Sequence, residues 1–146
     1  MPSLLLTKFY LPPAPAGFVA RPRLFEKLDE ALAHRLTLVS AQAGSGKTTL
    51  VSAWAQLARK KGTAIVWLSL DEADNAPERF MEYLVACLEE GGAKLDLADL
   101  PGNNGQALVE NFLPDIIHGL TLLKREFVLV LDDYHLIHNQ EIHTAL

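Results

Sequence analysis

"RLTLVSAQAGSGKTTL", residues 35–50, changes its pattern half-way along. The opening "RLTLVSA" is a short apolar run rich in Leu and Val, as in a buried strand, whereas Leu50, Val51, Trp54 and Leu57 recur at helical spacing. Between the two lies Ala41–Thr49, with glycines at 44 and 46. A tight, glycine-permitted turn that opens onto a helix N-terminus aims several backbone N–H groups at one point, which is what an anion needs. In such a phosphate loop Lys47 would reach the β and γ phosphates as a compact point charge, and the Thr48 hydroxyl would ligate Mg²⁺. Ala41, Gly44, Ser45, Gly46 and Thr49 complete the candidate nucleotide-binding set. The full pattern, G-x-x-x-x-G-K-[ST], begins with glycine where this chain has Ala41, and alanine serves there if its dihedral is not left-handed. The bland alternative is a strand-to-helix turn with an exposed lysine. The order strand, loop, helix favours the phosphate reading.

A second constellation closes "FVLVLDDYH", residues 127–135. A carboxylate at the end of a buried strand suits the outer shell of a phosphate-bound Mg²⁺, as in a Walker B motif, and a neighbouring acid could orient or deprotonate water. Asp132 is therefore the candidate metal residue, with Thr48, and Asp133 the candidate base beside Lys47 as the catalytic pair. Taken alone, "DD" after an apolar run reads equally well as two solvated turn aspartates.

The remaining pattern is alternately helical and extended. "LPPAPAG" (11–17) has three prolines and a glycine, so residues 1–20 are expected to form an extended segment across the surface. Leu24, Phe25, Leu28, Ala31 and Leu32 predict a helix over about 22–34, with Pro22 in its first turn. "TAIVWLSL" (63–70) predicts a second buried strand. Asn75 and Glu78 have capping-box spacing ahead of a helix carrying Phe80, Leu84 and Leu88. Residues 91–105 look loop-like, and 106–123 helical, with Pro114 and Gly119 expected to bend or split the helix. Asn139 is placed to cap a last helix. Trp54 and Trp67 read as core residues, "KREF" (124–127) as a solvated turn, and His135, His138 and His143 as structural or surface residues, since their spacings share no helix face and no cysteine joins them.

Composition narrows the class. With 146 residues, 49% hydrophobic and 21% charged, the chain suits one compact globular unit or a piece of one. A net charge of −5 without a basic stripe argues against direct nucleic-acid binding by this chain. One cysteine, Cys87, fits a reducing compartment, with cytoplasm as the default. No signal-peptide pattern is present and no run approaches the roughly twenty apolar residues of a membrane span.

Five ordered blocks, "TKFYLPP", "VARPRL", "LTLVSAQAGSGKTTL", "WLSLDEADNAPERFMEYL" and "LVLDDYHLI", cover nearly the whole chain. Together they resemble the N-terminal ATPase region of the MalT-like STAND regulators, large LuxR-type transcriptional activators. The resemblance implies an α/β fold, a P-loop NTPase with a three-layer α/β/α arrangement and a parallel sheet, occupying 21–146 as a partial domain. It implies ATP or ADP as the nucleotide with Mg²⁺, and adenine-side or ribose-side contacts from Val19 and Arg21, although Arg21 alone reads as a cap on local structure. The block from Asp71 to Phe80 resembles a family-specific structural loop without catalytic assignment.

In sheets of that class the strand following Walker B lies between the phosphate-loop strand and the Walker B strand. The resemblance thus implies a sheet truncated after Walker B, with about three strands and a central vacancy that exposes strand edges. No Lys or Arg follows Arg125, so no downstream arginine can stabilise γ-phosphate charge in cis. The expectation is a piece of a signalling ATPase with weak or absent turnover. Its helical, effector-sensing and helix-turn-helix parts would lie elsewhere, and oligomerisation of the parent is left open. The alternatives are a self-sufficient small P-loop kinase and a non-catalytic interaction fragment.

Overall fold

The computed structural model describes residues 4–95 and 105–146, with side chains from 113 onward in the second stretch. A helix, α1 (Pro22–Ala31), precedes the glycine-rich loop, and α2 (Lys47–Lys60) follows it. Next come β1 (Ala64–Ser69), α3 (Pro77–Glu90), α4 (Gly105–Thr121), β2 (Phe127–Asp132) and a short α5 (Gln140–Ala145). The two strands pair in parallel, in register from Ala64 opposite Phe127 to Ser69 opposite Asp132. Between residues 90 and 105 most of the loop-like stretch lies outside the described residues.

Both faces of this pair are covered, as a parallel sheet requires. On one face Ile65, Trp67, Val128 and Val130 pack with Leu28 of α1 and with Trp54, Ala55 and Ala58 of α2. On the other, Val66, Leu68, Leu129 and Leu131 pack with Phe80, Leu84, Cys87 and Leu88 of α3, Ile116 of α4 and Ile142 of α5. The side chains alternate along each strand, so the continuous apolar runs of the sequence serve two cores at once. Trp54 and Trp67 are core residues, and the Trp54 indole donates to Asp29 at 2.8 Å.

The predicted strand over 35–41 does not form. These residues have no regular structure and join no ladder, and Leu36 and Leu38 are 79% and 81% exposed. A strand is held by a hydrogen-bonding neighbour, and this run has none among the described residues. Among the described residues the sheet therefore has two strands where about three were expected. Local signals were also misplaced in two other elements. The capping box belongs to Asp71 and Asp74, around a 3-10 turn at Glu72–Asn75, whereas α3 begins after Ala76 with no side-chain cap. And α4 is not split at Pro114 or Gly119, being one helix through both.

The outward carbonyls of β1 are closed off by side chains. Arg59 of α2 donates to the Ile65 carbonyl at 3.2 Å, and the Cys87 thiol of α3 to that of Trp67 at 3.2 Å. Beside this edge the N-terminal segment makes a 3-10 turn at Leu6–Phe9 and passes from one core to the other, Phe9 packing on the α3 side and Leu11 on the α2 side. Its anchor is charged. Lys8, almost wholly buried, pairs with the fully buried Asp74 and, at 2.8 Å, with Asp71. Arg79 completes the group on Asp74 at 3.0 Å, and both cations lie over the Tyr83 ring.

Removing one member of a buried ion pair strands its partner, at about 3–5 kcal/mol. Because Arg79 would remain on Asp74, we expect Lys8→Ala to cost about 3 kcal/mol in urea unfolding at neutral pH. Lys8 holds the Asp71 carboxyl below its ordinary value of 3.8, so the Asp71 share of that stabilisation is present above this pH and fades as pH falls through the lower folded value. Burial pushes the Cys87 thiol up to about 12. A thiol so rarely ionised should stay unmodified by a disulfide reagent in native buffer and react fully once unfolded.

Candidate functional site

Gly44 and Gly46 hold φ of 77° and 83°, the left-handed region that suits glycine. Ala41 is not in that region, so alanine is compatible with its place at the start of the motif. Ser45 N–H closes a turn on the Gln42 carbonyl at 3.2 Å, and Gly46 then leads straight into α2. Helical bonding begins with Leu50 N–H on the Gly46 carbonyl, so the N–H groups of Lys47, Thr48 and Thr49 have no carbonyl a turn behind them within the helix. They form the positive end of a fourteen-residue helix dipole. The Lys47 ammonium donates back to the carbonyls of Ala41 and Gln42, at 2.5 and 3.3 Å, folding over the loop it follows.

β2 delivers its terminal carboxylate to this point. Thr48 Oγ1 donates to Asp132, 3.0 Å from Oδ1 and 3.3 Å from Oδ2, joining residues 84 apart in sequence. Asp132 Oδ1 also accepts the Asp133 N–H at 3.0 Å. Asp133 is exposed, and at φ 57° it is the one non-glycine residue in the left-handed region among those described. A hydroxyl and a carboxylate are hard oxygen donors of the kind Mg²⁺ takes, set against free helix N–H groups of the kind phosphate takes. The donor set thus fits a metal–phosphate ligand.

Thr48 and Asp132 are therefore brought together, with Lys47 and Asp133 their neighbours in the chain, while the described contacts do not tie Val19 or Arg21 to them. Both sit at the entry to α1, exposed, and neither hydrogen-bonds to the loop among the described residues. Of the histidines, His143 Nδ1 lies 2.5 Å from the Tyr134 hydroxyl. Sequence reasoning missed one residue near the site, Asn75, whose side chain reaches the segment following Asp133.

Comparison with known proteins relates the chain by sequence to transcriptional regulators. No family model matches the chain. It is 42% identical over 130 residues to the HTH-type transcriptional regulator MalT of Cronobacter sakazakii, covering 88% of this chain. The chain is similar to regulators named MalT. The protein of that name in Serratia proteamaculans is 39% identical over 145 residues, 98% of this chain, and that of Klebsiella pneumoniae 38% over 130 residues. The chain spans only 14–16% of the length of these relatives. No described helix is long and apolar enough to cross a membrane.

The Thr48–Asp132 contact can be isolated energetically. A hydrogen bond to a charged group contributes about 1.5–3 kcal/mol, less where solvent reaches it. In a double-mutant cycle with Thr48→Val and Asp132→Asn, we expect a coupling of about 1 kcal/mol in the ligand-free chain, measured by urea unfolding.

Proposed function

We propose that this chain is the ATP-binding part of a larger transcriptional regulator, a nucleotide-dependent switch of the P-loop type. The observation that carries the reading is the contact of Thr48 with Asp132 at the N-terminus of α2. It joins the hydroxyl of the phosphate loop to the strand-end carboxylate, the two groups that such a site uses to hold Mg²⁺. Similarity to MalT regulators over most of the chain supports the regulatory half of the proposal.

In this reading the N–H groups from Gly44 to Thr49 cradle the β and γ phosphates, and Lys47 turns from the loop carbonyls to the phosphate oxygens. Thr48 and Asp132 hold Mg²⁺, which when bound supplies charge neutralisation on the phosphates. Asp133 orients the attacking water. In this reading hydrolysis is slow and resets the switch between its two states. Val19 and Arg21 would have to close over the base.

The exposed run 35–41 supports a further part of the reading. Leu36, Leu38 and Val39 are apolar side chains left in solvent, and β2 has no second strand beside it among the described residues. One strand from a later part of the regulator, laid between the two, would satisfy both. DNA binding, effector sensing and any oligomerisation would belong to that larger remainder, in the cytoplasm.

Calorimetric titration with Mg²⁺–ATP tests the site. We expect binding that Lys47→Ala weakens at least tenfold, with the circular dichroism spectrum unchanged. Equal affinity in the folded variant, or no binding by the folded parent, would overturn the proposal. Steady-state turnover typical of an efficient enzyme, about 1 s⁻¹ or more, would overturn the slow switch.

A further inference from the structure

Asp133 adopts φ 57° and ψ 31°, a setting that a residue with a side chain rarely occupies unless its surroundings impose it. Upstream, its N–H donates to the Asp132 carboxylate at 3.0 Å. Downstream, its carbonyl accepts the Leu136 N–H at 3.0 Å, and that of Tyr134 the Ile137 N–H at 3.0 Å, so a rigid 3-10 turn connects Asp133 to residues 136–139. What fixes that turn in space is Asn75. Its amide donates to the Leu136 carbonyl at 2.8 Å and to the Glu72 carbonyl at 3.0 Å, while its side-chain oxygen accepts the N–H groups of His138 at 2.6 Å and Asn139 at 3.1 Å.

Two donors and two acceptor positions are the full capacity of a primary amide, and all are used. The Asn75 backbone carbonyl adds a fifth bond, from the Asn139 side chain at 3.0 Å, and Asn139 in turn caps α5 through Glu141 N–H. The turn that ends in Asn75 is itself held, by the Asp71–Asp74 capping box and the Lys8 and Arg79 ion pairs. Asn75 is not needed to cap α3, which begins after Ala76.

We propose that Asn75 is the positioning residue that holds Asp133 at the end of β2, acting through the 134–139 turn. For hydrolysis this rests on the nucleotide reading of the site. Asn75→Ala removes all four side-chain bonds, and Asn75→Asp keeps the acceptor while losing both donors.

The test combines amide hydrogen exchange of the ligand-free chain with Mg²⁺–ATP binding and single-turnover hydrolysis. We expect Asn75→Ala to speed exchange at Leu136 and Ile137 at least tenfold, with Ala64 and Leu70 in the sheet unchanged, and Asn75→Asp to fall between. Affinity should stay within about threefold, hydrolysis should drop at least tenfold, and adding Asn75→Ala to Asp133→Asn should slow the latter no further. Unchanged exchange at 136–137, loosening that spreads into the sheet, or affinity falling in step with hydrolysis would overturn the proposal. Equal ATP affinity in Lys47→Ala and the parent would instead overturn the nucleotide reading, leaving the exchange experiment to decide by itself whether Asn75 holds the turn.

Discussion

A parallel pair of strands cannot stand with a face in water, and the rest of this molecule is arranged around that demand. The β1–β2 ladder presents alternate side chains to two sides, so helices must be supplied to both, and the long connections of a parallel sheet deliver them. Packing of α2 on one face also sets where its N-terminus falls, close to the C-terminal end of β2. The meeting of Thr48 with Asp132 is in this sense a product of core packing: Trp54 and Ala55 bury the helix, and its first turn arrives beside the strand-end carboxylate.

The charged cluster under the N-terminal segment shows the opposite economy. Asp74 is fully buried and would be costly in isolation, yet Lys8 and Arg79 approach it from two directions and the Asp71 N–H donates to it at 2.8 Å. Such a group contributes less through net energy than through definition, because shifting any one member leaves another uncompensated. It therefore fixes the turn at 72–75, and through Asn75 the geometry of the segment beyond Asp133. Electrostatics on one side of the sheet thereby bear on the chemistry at its end.

Much of this was legible because it is local. Gly44 and Gly46, the helical spacing from Leu50, the apolar runs of both strands and the Asn139 cap each depend on neighbours a few residues away. The candidate site was half legible: the residue types at 41–49 and 132–133 are those expected of a phosphate and metal site, but only the fold shows that Thr48 and Asp132 meet. What stayed hidden is non-local. Lys8 finds Asp74 across 66 residues and Asn75 finds Leu136 across 61, and no periodicity encodes either. Residues 35–41 carry a strand's composition without its ladder, because composition describes a side-chain surface and cannot supply a hydrogen-bonding neighbour.

The closure of β1 by Arg59 and Cys87 has a directional meaning. With the carbonyls of Ile65 and Trp67 already engaged, that side of the ladder offers little to an incoming chain. β2 has no such stoppers among its described hydrogen bonds. The sheet thus has two unlike flanks: the outer carbonyls of β1 are occupied by side chains of the helices on either face, while the described bonds of β2 leave its outer side without such a seal.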